Sequence, residues 1–171
     1  GNEGAPGVDA KTVKQCDERA TGELGGRRKE LHTRRYRRKP ARRVWIPKPG
    51  TTEKRPLGMP AVRDRTVEAA VRQVIEPIIE RDFAAHSYGF RPGRGCREAV
   101  ARVEELLSQG HVWCVDCDLK SYFETIPHDR LMALVRERIV DGNVLALIQQ
   151  SLKAGVLEEL KGWQPTERGT P

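Results

Sequence analysis

Residues 111–128 read HVWCVDCDLKSYFETIPH, and the sorting of the chain into strand, helix and chemistry turns on them. Their first nine positions alternate, with Trp113, Val115, Cys117 and Leu119 on one side and Val112, Cys114, Asp116 and Asp118 on the other, as a β-strand places them. Two carboxylates therefore share a strand face, and Asp118 stands near the strand's end. Downstream the period changes. Leu131, Leu134, Val135, Arg138 and Ile139 recur at helical spacing, and a further helix from about Val144 repeats it with Leu147, Ile148, Ser151 and Leu152 before Gly155 closes it. A strand is expected over 156–160, with Glu158 and Glu159 solvated on an edge.

Upstream, residues 96–108 predict a helix with Val100, Val103, Leu106 and Leu107 inward and Gly110 at its C-terminal cap. A Gly- and Pro-rich loop, SYGFRPGRG at 87–95, precedes it. Val67, Ala70, Val71, Val74, Ile75, Ile78 and Ile79 form the stripe of a helix buried along one side, with Asp64 as candidate N-cap and Pro77 as a kink or stop. ARRVWIP at 41–47, a Pro, Gly and Thr turn at 48–55 and PLGMP at 56–60 predict a hairpin. The first forty residues are rich in Gly and charge, so they read as an extended arm or small helical lead-in. The sum is an α+β fold.

The chain has 171 residues, of which 37% are hydrophobic, enough for a real but modest core. No apolar run approaches the roughly 20 residues of a membrane-spanning helix, and no secretory leader is evident, so the expectation is a soluble cytoplasmic protein without membrane partners. Cys16, Cys96, Cys114 and Cys117 are too scattered for a disulfide framework. Cys114 and Cys117 make one C-x-x-C with no second pair at metal-ligand spacing, and buried thiols in a strand are expected.

Charge divides the chain unevenly. Residues 1–65 carry 18 Lys and Arg against 8 Asp and Glu, a net of +10, while residues 66–171 carry 13 against 16, a net of −3. Ten of the cations lie between Arg27 and Arg43, among them Arg34, Arg35, Arg37, Arg38, Arg42 and Arg43. Such density repels itself unless a polyanion lies nearby, and the forked guanidinium suits phosphate oxygens. A solvated basic face is the plainer alternative. No amphipathic apolar stripe accompanies the charge, which favours nucleic acid over an acidic membrane.

Asp118 is costly at the end of an apolar strand unless it is paired or binds a cation, and hard ions such as Mg2+ take oxygen ligands of this kind. Capping of the turn or pairing with Lys120 explains it equally well. Asp116 lies about 6.6 Å away along the strand, a better structural acid than second ligand. Two-metal phosphoryl transfer needs carboxylates from two segments, and no second acidic cluster is visible; Glu104 and Glu105 read as solvated. The pattern stops at a nucleic-acid-binding α+β domain with half a metal site.

Six blocks carry a resemblance further. GAPGVD at 4–9, RRVWIPKP at 42–49, RPLGMPAVRDR at 55–65, SYGFRPGRG at 87–95, DLKSYFETIPH at 118–128 and GTP at 169–171, in this order and at these intervals, closely resemble group II intron-encoded reverse transcriptases. The resemblance covers essentially the whole chain. It implies a reverse-transcriptase-like right-hand polymerase: a basic N-terminal extension over 1–40, fingers over 41–110 and an incomplete palm over 111–171. It implies RNA-directed DNA polymerase activity, with Mg2+ as cofactor and with intron RNA or an RNA template, a DNA primer and dNTP as partners. Asp118 matches the first catalytic aspartate, a Mg2+ ligand, with the Leu119 carbonyl as a possible further one. Phe123 matches the aromatic beneath the incoming nucleotide's sugar, although core packing is its plain reading. Lys54, Arg55 and Arg63 resemble the fingers cations on the triphosphate, with no assignment among them. Arg91 and Arg94 belong to a template-facing loop in which Tyr88 or Phe90 stacks or packs.

Two departures from the family pattern stand out: Ser121 where Gly is usual and Glu124 where Asp is usual. The family continues Gly-Thr-Pro with Gln-Gly-Gly and later a Tyr-Ala-Asp-Asp hairpin bearing the remaining catalytic aspartates. The expectation is therefore a partial polymerase, truncated before the second aspartate motif and inactive alone. The alternative is a non-catalytic, maturase-like RNA-binding module or truncated remnant.

Overall fold

A computed structural model describes residues 5–18 and 20–171, so Gly4 of the first family-like block lies outside the described residues. By contacts the chain forms two compact units, Gly1–Gln73 with Ser121–Pro171, and Val74–Lys120.

In the first unit the expected hairpin forms from β1 (Ala41–Pro47) and β2 (Lys54–Met59), antiparallel from Arg42↔Met59 to Pro47↔Lys54. Two later strands, β3 (Val156–Glu158) and β4 (Gly162–Gln164), complete a mixed sheet in the order β2-β1-β3-β4. β3 runs parallel to β1, with Ala41 opposite Val156, and antiparallel to β4. The single strand expected over 156–160 is therefore shorter and lies inside the sheet. β4 takes the edge, and at three residues it is too short for an alternating pattern to reveal.

Two short helices, α1 (Val13–Asp17) and α2 (Ala20–His32), make the N-terminal lead-in helical. Thr12 and Gln15 exchange side-chain to backbone hydrogen bonds in a capping box that starts α1. α3 (Val62–Glu80) continues three residues past Pro77. Asp64 is not its N-cap but a first-turn residue, since the helix already begins at Val62. Of the expected α3 stripe only Val67 is buried; Val71, Ile75, Ile78 and Ile79 are half-buried, and Ala70 and Val74 are exposed.

Later in the chain come α5 (Tyr122–Thr125), α6 (His128–Arg136) and α7 (Gly142–Leu152). The carboxylate of Asp141 accepts from the Asn143 and Val144 amides and so caps α7. The expected stripe through α6 holds at Leu131 and Val135, which are half-buried, and at Ile139 beyond the helix, but Met132 takes the inward place expected of Leu134. Met132 and Ile139 are buried while Leu134 is 61% exposed. With Tyr36, Ala41, Val62, Leu152 and Val156 they form the core, each large apolar side chain contributing about 1.5–3 kcal/mol.

The second unit holds the end of α3, the 81–95 loop and α4 (Cys96–Ser108). α4 ends as expected, with Gly110 at φ +90°. Its apolar face does not turn inward: Val100, Val103 and Leu107 are each more than half exposed. Nor do residues 111–119 form a strand. Trp113 is 94% and Val115 87% exposed, and Cys96, Cys114 and Cys117 are exposed thiols rather than buried ones. A strand exists only by hydrogen bonding to a neighbour, and no strand among the described residues pairs with this segment. Among the described residues no helix is long and apolar enough to cross a membrane.

Candidate nucleotide and nucleic-acid site

The block containing Phe123 and the closing Gly-Thr-Pro, far apart in sequence, are brought together in the first unit. Gly169 N donates to Ile126 O at 2.8 Å and Thr170 N to Phe123 O at 2.8 Å. His128 Nε2 lies 2.7 Å from Gly169 O. Gly169 has φ +73°, and a Cβ there would stand 2.5 Å from Glu124 O, so both conformation and space require glycine. On the other side, a Cβ on Gly58 of β2 would stand 2.5 Å from the backbone of Pro171. Two glycines thus let three segments meet.

The result is a groove of about 830 Å³ lined by Arg43, Arg55, Phe123, Glu158 and Thr170 among others. Phe123 is 63% exposed and packs edge-on against Tyr122, with centroids 5.3 Å apart. Glu158 is held below the usual carboxylate range, chiefly by the hydrogen bond from Lys161, with Trp45 Nε1 donating as well at 3.3 Å. The α5 helix that carries Phe123 begins after Ser121, whose φ of +50° lies in the left-handed region. That conformation accounts for glycine being the usual residue at this place in the pattern.

Of the three expected triphosphate cations, Arg55 lines this groove, and Lys54 is exposed beside it in sequence. Arg63 is engaged elsewhere. Its Nη2 donates to Glu30 Oε2 at 3.2 Å and to Arg37 O at 3.4 Å, and its guanidinium lies 5.4 Å from the centroid of the Tyr36 ring. Arg63 Nε stands 3.4 Å from Asp64 Oδ1.

Asp64, expected from sequence only as a helix cap, has a fully buried side chain. Tyr36 Oη donates to its Oδ1 at 2.7 Å and Lys39 N to its Oδ2 at 3.1 Å. Burial first, and the Asp64 carboxylate second, push the Tyr36 hydroxyl well above its ordinary range. All these groups hold the segment after α2 against α3. Only the tertiary contact identifies them, because Tyr36 and Asp64 are 28 residues apart.

The basic segment divides by geometry. Arg34, Arg35 and Arg42 are exposed, and their guanidinium groups have no partner among the described residues. Arg43 is half-buried beside the groove. Arg37 is exposed but donates to Arg34 O and Tyr36 O. Arg38 is turned inward, 5% exposed, paired with Glu68 and donating to Ser151 Oγ at 2.9 Å. Its charge is neutralised within the fold.

In the second unit Arg91 is likewise internal. Its side chain is 5% exposed, and it donates to both Glu80 carboxylate oxygens at 2.7–3.1 Å and to the Ala84 and Ser87 carbonyls at 2.8 and 2.9 Å. Glu80 is held below the usual carboxylate range, first by that hydrogen bond. Arg94 is exposed; it donates to Ala85 O and lies over the Tyr88 ring. Phe90, at φ +57°, is 98% exposed.

Asp118 and Leu119 also belong to the second unit and are exposed. A carboxylate and a carbonyl suit Mg2+ in kind, since that ion takes hard oxygen donors. They do not suffice in number: among the described residues no three His, Cys, Asp or Glu side chains cluster as a metal site would need.

Residues 46–171 match the family described as reverse transcriptase (RNA-dependent DNA polymerase). The chain is 42% identical over 157 residues to protein YkfC of Escherichia coli (strain K12), covering 90% of this chain and 41% of that protein. It is 38% identical over 138 residues to group II intron-encoded protein LtrA of Lactococcus lactis subsp. cremoris, covering 80% of this chain and 22% of that one. A nuclear intron maturase 1, mitochondrial, of Arabidopsis thaliana is 30% identical over 94 residues, 55% of this chain and 13% of that protein. The chain therefore spans about two-fifths of the length of the first of these relatives and about a fifth of the second.

Proposed function

The chain belongs to the reverse transcriptase family, and from that premise we propose that it supplies the fingers and part of the palm of an RNA-directed DNA polymerase of the group II intron type. Arg55 and Phe123 support this most directly, because they line one groove although 68 positions separate them in sequence. A cation and an exposed aromatic lining one groove suit a nucleoside triphosphate: the guanidinium takes phosphate oxygens and the ring lies against the sugar. Within this proposal Arg55 is the triphosphate contact, Lys54 adds charge nearby, and Arg63 organises the fold.

Asp118, with the Leu119 carbonyl, supplies one edge of a Mg2+ site whose remaining ligands come from outside these residues. An ion held there would neutralise charge on the transferring phosphate. The chain's own task is to position the nucleotide against a primer 3′-OH, which is most of what phosphoryl transfer asks of a protein. Arg34, Arg35, Arg42 and Arg43 face RNA backbone, and Arg94 with Phe90 faces the template. With one active-site carboxylate, these 171 residues alone do not polymerise.

Primer extension on an RNA template with Mg2+, using the product of the complete reading frame that contains these residues, tests the proposal. Asp118→Ala is expected to lower activity by about a hundredfold or more. Arg55→Ala is expected to raise the KM for dNTP about tenfold. Equal activity in Asp118→Ala and the unsubstituted protein sinks the metal assignment. No extension by the complete product, with RNA binding retained, favours a non-catalytic RNA-binding module.

A further inference from the structure

A second groove, of about 510 Å³, opens in the first unit between the end of α2 and α7. Asn143, Ala146, Leu147 and Gln150 line one side of it, and their spacing puts them on a single face of α7. The two amides stand at the ends of that face, about 10 Å apart along the helix axis, with the two apolar residues between them. Leu31 and Arg34 line the opposite side. Its lining holds Arg34 and Arg37, two amides and no acidic side chain, which suits a ligand that carries negative charge and hydrogen-bonding edges.

Arg34 supplies an independent observation. α2 ends with Arg34 N donating to Leu31 O at 3.1 Å and Arg35 N donating to Glu30 O at 2.8 Å. α4 ends with the same two bonds, from Gly110 N to Leu107 O and from His111 N to Leu106 O. In this motif the residue after the cap is left-handed and is normally glycine. Gly110 obeys that rule in α4, whereas α2 puts an arginine there at φ +55°. The backbone disfavours any side chain at this position, and the Arg34 guanidinium has no partner among the described residues to offset that. The Arg34 backbone closes α2 and accepts from Arg37, but a strained position whose side chain takes no part in those bonds points to work for that side chain outside the fold.

We propose that this groove binds a short run of single-stranded RNA. Arg34 takes a backbone phosphate, the Asn143 and Gln150 amides take base edges, and Leu31, Ala146 and Leu147 lie against base faces. The distance between the amides spans roughly three nucleotides at about 3.4 Å each. The inference rests on the reading of the basic N-terminal segment as RNA-facing and adds to it a base-reading surface on α7.

Titration of a fluorescein-labelled, mixed-sequence, single-stranded RNA into the whole chain at several salt concentrations, together with thermal melts, tests it. Arg34→Gly is expected to raise the melting temperature, because strain is relieved, yet to weaken RNA binding about fivefold and to shrink the log–log salt slope by about 0.7. Asn143→Ala combined with Gln150→Ala is expected to weaken binding about threefold or more with the salt slope unchanged, since neither group is charged. Arg34→Gly that melts higher but binds as before overturns the proposal, and so does full affinity in the double variant. In both cases the broader RNA-facing reading survives; absence of RNA binding by the unsubstituted chain overturns both.

Discussion

Asp64 keeps a carboxylate in a fully buried place because Tyr36 Oη, Lys39 N and the neighbouring Arg63 guanidinium surround it. Removing it leaves a buried hydroxyl and a part-buried amide without acceptors and takes from Arg63 one of its two carboxylate neighbours, Glu30 being the other. Asp64→Ala is therefore expected to lower stability by about 3 kcal/mol, and Tyr36→Phe by about 1 kcal/mol, measured by urea unfolding. Losses equal in the two variants count against Asp64 as the hub. In sequence Asp64 looks like an ordinary helix cap, because composition carries no sign that a residue 28 positions earlier reaches it. Ser121 shows the reverse case. A glycine usual in the family pattern acquires its reason only from the left-handed backbone at this position, where Ser121 stands as a strained exception.

Among the elements, the 81–95 loop has the clearest internal design. Arg91 uses donors on both arms of its guanidinium to tie the loop carbonyls of Ala84 and Ser87 to the Glu80 carboxylate at the end of α3. Glu80 is held below its ordinary range, so this tie stabilises the loop above the usual carboxylate pKa and is lost as pH falls through the lowered value. Chemical shifts of residues 81–95 are expected to move together only as pH falls below the usual carboxylate range, and Glu80→Gln is expected to abolish that coupled change. An unchanged titration in the variant sinks the idea. Arg91 reads from sequence as an exposed donor for RNA, since a loop arginine beside glycines gives no warning that its charge is already matched. The 111–119 segment fails as a strand for a different reason. Alternation reports which faces an extended segment presents, but only a paired neighbour turns it into sheet.

At the scale of the whole molecule, the +10 of residues 1–65 against the −3 of the remainder puts the net positive charge on one part of the chain. With Arg34, Arg35, Arg42 and Arg43 as the contacts, the log of RNA affinity is expected to fall against log salt with a slope of about −3, and a slope near zero counts against a phosphate-bound surface. Local pattern was enough for the α+β class, the hairpin over β1 and β2, α3, α4 with its glycine cap, and α7, because backbone period and cap chemistry act within a few residues. The six ordered blocks were enough for the family, since each records a short stretch of backbone or side chains whose spacing survives without coordinates. Packing alone decided the rest: that β3 lies inside the sheet, that Met132 rather than Leu134 faces inward, that Arg38, Arg63 and Arg91 are tied into the fold, and that Arg55 shares a groove with Phe123. Each of those outcomes depends on which distant side chain fills the space beside a residue, and that is a property of the folded chain rather than of any window of its sequence.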